Sequence, residues 1–278
     1  MSPFELAEPG SLAQALSLLN DEGARPLSGG TALMLMMKAG VFRPARLVSL
    51  RKLKLDGIEQ APGGELRIGA MTTLRALERS EVVEKSFPVL KKTLRTLANV
   101  RVRNVATVGG ALAHADPHMD LPPLLAALGA RATIAGPGGE RSLPVEALYA
   151  GYLENTLKRD ELITRVEVPA LGKRRAAYLK CTTRSADDWP ALGMAVVLHA
   201  EEARVVVSAA TDRPTRLFAA EKLLKGHLSE PLHLKRAGEA AAEEVQIEGD
   251  LHGSAAYKRQ LIRVYLARAI HEARDAVY

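Results

Sequence analysis

Two periodicities run along the chain. Leu12, Ala15, Leu16 and Leu19 share one face of a helix that Ser11 can cap and Gly23 ends. Apolar runs at Arg46-Leu47-Val48-Ser49-Leu50 and, in strict alternation, at Glu65-Leu66-Arg67-Ile68-Gly69 predict strands. Thr72 is placed to cap the next helix, and a further helix is expected over residues 88–98. Asp120 stands at an N-cap position, with Pro122 and Pro123 in the first turn and Gly129 past the end. Arg131-Ala132-Thr133-Ile134-Ala135 and Glu140-Arg141-Ser142-Leu143 flank Gly136-Pro137-Gly138-Gly139 as a hairpin, and residues 161–168 predict another strand. This alternation describes a small α/β lobe followed by a more β-rich one.

Proline, glycine and a basic run interrupt the pattern over residues 169–175 and divide the chain into domains of residues 1–172 and 173–278. Strands are expected at residues 177–181, 194–199 and 204–209, then three helical stretches. The last, residues 254–276, places Leu261, Ile262, Tyr265, Leu266, Ala269, Ile270 and Ala273 on one face. The fold class predicted is α+β, ending in a three-stranded antiparallel sheet with a helix bundle.

With 278 residues the chain can bury two cores, and its 47% apolar and 25% charged content is ordinary for a globular protein. No apolar run approaches the roughly 20 residues of a membrane helix, and Met1-Ser2-Pro3-Phe4-Glu5 lacks the basic and apolar regions of a leader. The expectation is a cytoplasmic protein with no membrane insertion. Cys181 is the single cysteine, which excludes an internal disulfide and a cysteine-ligated iron–sulfur cluster. The net charge of +6 is spread along the chain and aromatic residues are only 4%, so nucleic-acid binding is not expected. Arg101-Val102-Arg103 and Lys173-Arg174-Arg175 read as solvated surface or subunit contacts. A nucleophile elbow, a Walker loop and a Gly-x-Gly-x-x-Gly fingerprint are all absent. Any chemistry must come from a bound cofactor.

Two glycine pairs carry the candidate site. Leu27-Ser28-Gly29-Gly30-Thr31-Ala32-Leu33 runs from an apolar stretch through a turn into a helix, and Thr107-Val108-Gly109-Gly110-Ala111 opens a second such turn. Glycines let backbone approach a ligand, and the freed N–H groups suit an anion such as a diphosphate. The competing reading is a pair of ordinary turns.

The two motifs, with Ala115-Asp116-Pro117-His118-Met119-Asp120-Leu121-Pro122 and the later stretch from Tyr178 to Gly193, resemble the FAD-binding medium subunit of molybdenum hydroxylases of the carbon monoxide and xanthine dehydrogenase type. The family's motifs are of the form Ala-Gly-Gly-His-Ser and Thr-Ile-Gly-Gly-Asn-Leu-Ala-x-Ala-Asp-Pro-x-x-Asp-Leu-Pro. Here Thr31 and Ala32 replace the polar His-Ser pair and Ala111 replaces the Asn, which removes side-chain hydrogen bonds and leaves the backbone donors. The resemblance implies a two-lobed FAD domain of the vanillyl-alcohol-oxidase (PCMH) type and a CO-dehydrogenase-flavoprotein-like C-terminal domain. It also implies FAD as cofactor, and partner subunits carrying molybdopterin (large) and two [2Fe-2S] clusters (small). Electrons would leave through FAD to NAD, quinone or oxygen. Asp120 falls where the family holds FAD hydroxyls, and Lys180 and Trp189 fall beside the flavin ring.

Each of these residues also has a plain structural reading. Lys180 can form an ion pair with Asp187 or Asp188, and Trp189 can anchor a corner next to Pro190. Met34, Met36 and Met37 read as core filling. His114, Asp116, His118 and Asp120 alternate like metal ligands, but Pro117 turns the chain between them, so no metal is expected. Two other functions stay open: a stand-alone FAD oxidase or reductase of the same fold, and a flavin-free assembly scaffold.

Overall fold

The computed structural model describes residues 2–276. Near the N-terminus three short parallel strands lie in the order Glu5–Ala7, Arg46–Ser49, Ala24–Leu27. The helix Leu12–Leu19 packs on them through Ala15 and Leu19, and Ser11 Oγ accepts from Gln14 N–H at 3.3 Å to cap it. The second sheet is antiparallel, ordered Ile58–Gln60, Leu66–Gly69, Leu162–Val168, Arg131–Gly136, Gly139–Pro144. Its last two strands are the expected hairpin, closed by the Gly136–Gly139 pair. Thr73, not Thr72, caps the following helix Leu74–Arg79, accepting from Ala76 N–H. Thr72 is buried instead, and its hydroxyl exchanges hydrogen bonds with both backbone groups of Gly57.

The third sheet contains the three long strands Arg175–Cys181, Leu192–His199 and Glu202–Ser208, and adds a two-residue edge strand, Thr215–Arg216, that the sequence pattern is too short to reveal. Both faces of this sheet are covered. Ala176, Tyr178, Ala195 and Val197 join a core with Leu66, Ile68, Leu124 and Val166, whereas Ala177, Met194, Val196 and Leu198 join Leu261, Ile262, Leu266 and Ile270 of the last helix, Ala255–Asp275. Alternate side chains of a strand point to opposite faces, so a doubly covered strand reads as one unbroken apolar run, as Leu192–His199 does. The helix Leu121–Leu128 lies against this sheet and every one of its residues is buried. Gly129, at φ +79°, ends it.

In each basic cluster one arginine is drawn inward, while Arg101, Lys173 and Arg175 are exposed. Arg103 is buried, pairs with Glu78 at 2.9 Å and donates to the carbonyls of Leu97 and Ala98. Arg174 donates to the carbonyls of Leu128, Pro169 and Ala170, tying its own loop to the end of the helix Leu121–Leu128. No helix among the described residues is long and apolar enough to cross a membrane.

Candidate functional site

The strand Ala24–Leu27 delivers Ser28-Gly29-Gly30 to the edge of a cleft of about 790 Å³, and the six-residue helix Leu33–Lys38 leads away from it. Gly30 has φ +70°, which glycine adopts without penalty. Gly29 is pressed against the second motif, and a Cβ there would lie 2.0 Å from the Val105 carbonyl oxygen. The N–H groups of Gly29, Gly30, Thr31, Ala32 and Leu33 find no acceptor among the described residues. The five residues are half-buried, and free N–H groups in a row at a glycine turn and helix start are suited to cradle an anion.

The second motif behaves differently. Thr107 caps the helix Val108–His114, and its Oγ1 accepts from Gly110 N–H at 3.1 Å. Val108, Gly109 and Ala111 donate to the carbonyls of Thr72, Ala70 and Thr107. Its donors are therefore taken, which corrects the expectation of two anion cradles. This turn supplies a wall: Gly109 allows contact with Ala70, and Thr107 shares a 2.5 Å hydrogen bond with Ser28 that locks the turns together.

Ser28 through Leu33, Thr107, Gly109 through Ala111, Asp120 and Trp189 all line the cleft. Leu27 and Lys180 are not among its lining residues. Met37 is core, but Met36 lines the cleft with Phe42, Leu74 and Leu97, so the methionines are not all core filling. A second, more open cavity of about 610 Å³ beside Arg67 and Arg165 contains none of these residues.

Asp120 occupies the N-cap position with helical φ and ψ, and its side chain makes no cap. Its carboxylate accepts from Tyr178 Oη at 2.7 Å and Lys180 Nζ at 3.1 Å. Burial pushes the Asp120 carboxyl above its ordinary range, against the pull of Lys180 and Tyr178 toward the charged form. Lys180 also donates to the carbonyls of Thr96 and Asp188. It does not pair with the carboxylates of Asp187 or Asp188, which are held by Ser185 and by Arg184 with Trp189 N–H.

His118 also lines the cleft, and sequence reasoning weighed it only as a metal ligand. Its Nδ1 lies 3.0 Å from Asp116 and its Nε2 2.7 Å from Asp250, while the ring packs 5.4 Å from that of Trp189. Asp120 is engaged elsewhere, so the alternating His and Asp residues do not converge as metal ligands. Asp250 is anchored in turn by the buried Lys258, whose Nζ lies 2.6 Å from it. Burial lowers the His118 pKa and the two carboxylates raise it; the carboxylates win. Burial likewise opposes ionisation of Asp250, yet Lys258 and His118 hold its pKa at about 2.

These directions fix a pH dependence. The raised histidine contributes stability that is complete below roughly pH 6.5 and is lost as pH rises through its folded value. The depressed Asp250 contributes above roughly pH 3.9 and loses its contribution as pH falls through about 2. Thermal unfolding followed from about pH 6 to about pH 9 should show a steeper loss in the native protein than in His118→Gln. Parallel curves would remove the clamp from the stability of the fold.

Comparison with known proteins agrees with this geometry. Residues 2–171 match the model of the FAD binding domain in molybdopterin dehydrogenase, and residues 177–273 that of the CO dehydrogenase flavoprotein C-terminal domain. The carbon monoxide dehydrogenase medium chain of Afipia carboxidovorans is 30% identical over 98% of this chain and 96% of its own length. A chain of reconstituted CO dehydrogenase from Oligotropha carboxidovorans superposes with a TM-score of 0.94 at 31% identity, covering 99% of both chains. A chain of quinoline 2-oxidoreductase from Pseudomonas putida 86 superposes with a TM-score of 0.93 at 30% identity, covering 100% of this chain and 99% of that one. The cleft also suits FAD on its own terms, since it pairs a row of free N–H donors with apolar walls and its volume lies in the upper part of the roughly 300–1,000 Å³ range of ligand sites. The chain belongs to the FAD-binding medium-subunit family of molybdenum hydroxylases, the carbon monoxide and xanthine dehydrogenase type.

Proposed function

We propose that FAD lies in the cleft between the two glycine turns and that the chain is the electron-exit subunit of a molybdenum hydroxylase. The observation that carries this is the row of unfilled N–H groups from Gly29 to Leu33, opening onto a cleft with apolar walls. In this reading the row holds the diphosphate, Asp120 faces a hydroxyl of the cofactor, and Met36, Phe42, Leu97 and Trp189 surround its aromatic parts. Ser28 and Thr107 keep the turns in register. Bound FAD supplies a two-electron store that can be filled one electron at a time.

The partners in this reading are a large molybdopterin-binding subunit and a small [2Fe-2S] subunit, as the relatives' membership of molybdenum dehydrogenases supports, with NAD, quinone or oxygen as acceptor. Substrate is oxidised in the large subunit, and the assembly works in the cytoplasm. Residues 1–172 form the FAD domain and residues 173–278 the C-terminal domain.

The test is the visible spectrum of the purified chain, followed by identification of the chromophore that heat releases. A flavin spectrum with FAD released, and turnover only after the two partner subunits are added, is the expected outcome. Turnover by the chain alone would establish the stand-alone oxidase instead. A colourless chain whose assembled complex also releases no FAD on heating would leave the scaffold.

A further inference from the structure

We propose that His118, clamped between Asp116 and Asp250, is the positioning cation of the cleft and sets how readily the bound flavin is reduced. The inference rests on the reading that FAD occupies the cleft. The sequence points to Lys180 for this role, but Lys180 does not line the cleft, and its ammonium is held by Asp120 and two carbonyls. The described residues that line the cleft include three other basic groups. Arg25 turns its guanidinium onto the carbonyls of Glu22 and Ala24. Burial lowers the His114 pKa against the opposing pull of Asp116, which favours the neutral ring. His118 remains.

The groups that face His118 define what its proton does. Asp116 comes from its own loop, Asp250 and His252 from the loop before the last helix, and Trp189 from the loop between two strands of the third sheet. Lys258 stands behind Asp250 and also donates to the Ala209 carbonyl, while His114 lies 4.0 Å from Asp116. With His118 protonated, the two carboxylates are balanced by two cations. Without that proton the cluster carries one excess negative charge against the cleft wall. Reduction adds electron density to a flavin, so the neutral wall favours the reduced cofactor and the negative wall opposes it. The proximity of Trp189, an indole 46% exposed on the same wall, marks this as the end suited to an aromatic ring. His118 falls on an open position of the Ala-Asp-Pro-x-x-Asp motif, so the motif itself does not specify it.

The experiment is a potentiometric titration of the FAD-loaded complex at a series of pH values, native against His118→Gln, after flavin content has been measured. The two proteins are compared per bound flavin, so that any difference in FAD content does not enter the ratio. At about pH 6, below the ordinary histidine value, the ratio of reduced to oxidised flavin at a fixed potential should be about tenfold lower in the variant, equivalent to about 30 mV for a two-electron couple. The gap should close as pH rises and the native imidazole loses its proton. A gap that is absent, or that stays constant with pH, overturns the proposal. Absence of FAD from both proteins overturns the cleft reading instead. Should His118→Gln fail to fold, NMR titration of His118 in the native chain and in Asp250→Asn decides. The ring should titrate above its ordinary value and drop when Asp250 is neutralised, and a ring that titrates at or below that value in the native chain overturns the proposal.

Discussion

Gly29→Ala is expected to abolish FAD binding and to cost the fold about 3 kcal/mol, the upper end of the range for overpacked sites. The added Cβ would sit 2.0 Å from the Val105 carbonyl oxygen and 2.9 Å from Ala106 Cα. Both obstacles are backbone, so no rotamer change relieves them, and the two turns must separate. Separation breaks the Ser28–Thr107 hydrogen bond and spreads the row of N–H groups that follows Gly29. Gly110→Ala is the contrast. Its Cβ would meet Thr107 Oγ1 at 3.0 Å and Ser28 Oγ at 3.5 Å, side-chain atoms that can yield by tenths of an ångström. Gly10→Ala, with nothing within 4 Å, is the neutral control. Flavin absorbance per chain and urea midpoints for the three variants check the ranking. A Gly29→Ala protein that keeps its flavin would show that close contact between the turns is not what builds the site.

The legible parts of this chain are those decided by neighbours in sequence. The glycine turn and helix of the first motif carry their own signals, and so do the hairpin around Gly136–Gly139 and the serine cap at Ser11. The errors arise where distant residues decide. Asp120 has the local signature of a helix cap, yet partners 58 and 60 residues away take its carboxylate, because a buried acid gains more from Tyr178 and Lys180 than from one backbone N–H. His118 is anchored by Asp250, 132 residues along the chain, and no local pattern connects them. Burial of Arg103 is hidden in the same way, since Glu78 lies 25 residues upstream on another helix. The second glycine pair has the composition of a cradle without being one. A threonine that caps the following helix is equally local information, and its hydroxyl accounts for the Gly110 N–H.

Lys180→Met should destabilise the protein by about 3–5 kcal/mol, the usual cost of stranding one partner of a buried ion pair. Asp120 is 5% exposed, and without the ammonium its carboxylate keeps only the Tyr178 hydroxyl. That hydroxyl stays a donor, because burial and the adjacent Asp120 push its pKa well above the ordinary tyrosine value. It cannot replace a charge. Asp120→Asn should cost a comparable amount by leaving Lys180 with two carbonyls and no anion. In the double variant both charges are gone, so its loss should fall short of the sum of the single losses by more than about 1 kcal/mol. An additive cycle would mean that the pair is not coupled and that packing alone holds this wall. The position of the pair explains why the effect is large. Asp120 opens the fully buried helix Leu121–Leu128, whereas Tyr178 and Lys180 stand on the strand Arg175–Cys181 of the third sheet. Gly193, paired with Lys180 across that sheet, leaves the space that the phenol needs, for a Cβ there would lie 2.6 Å from Tyr178 Oη. The ion pair thus fastens the cleft wall at Asp120 to the third sheet, and breaking it should loosen the cleft and that contact together.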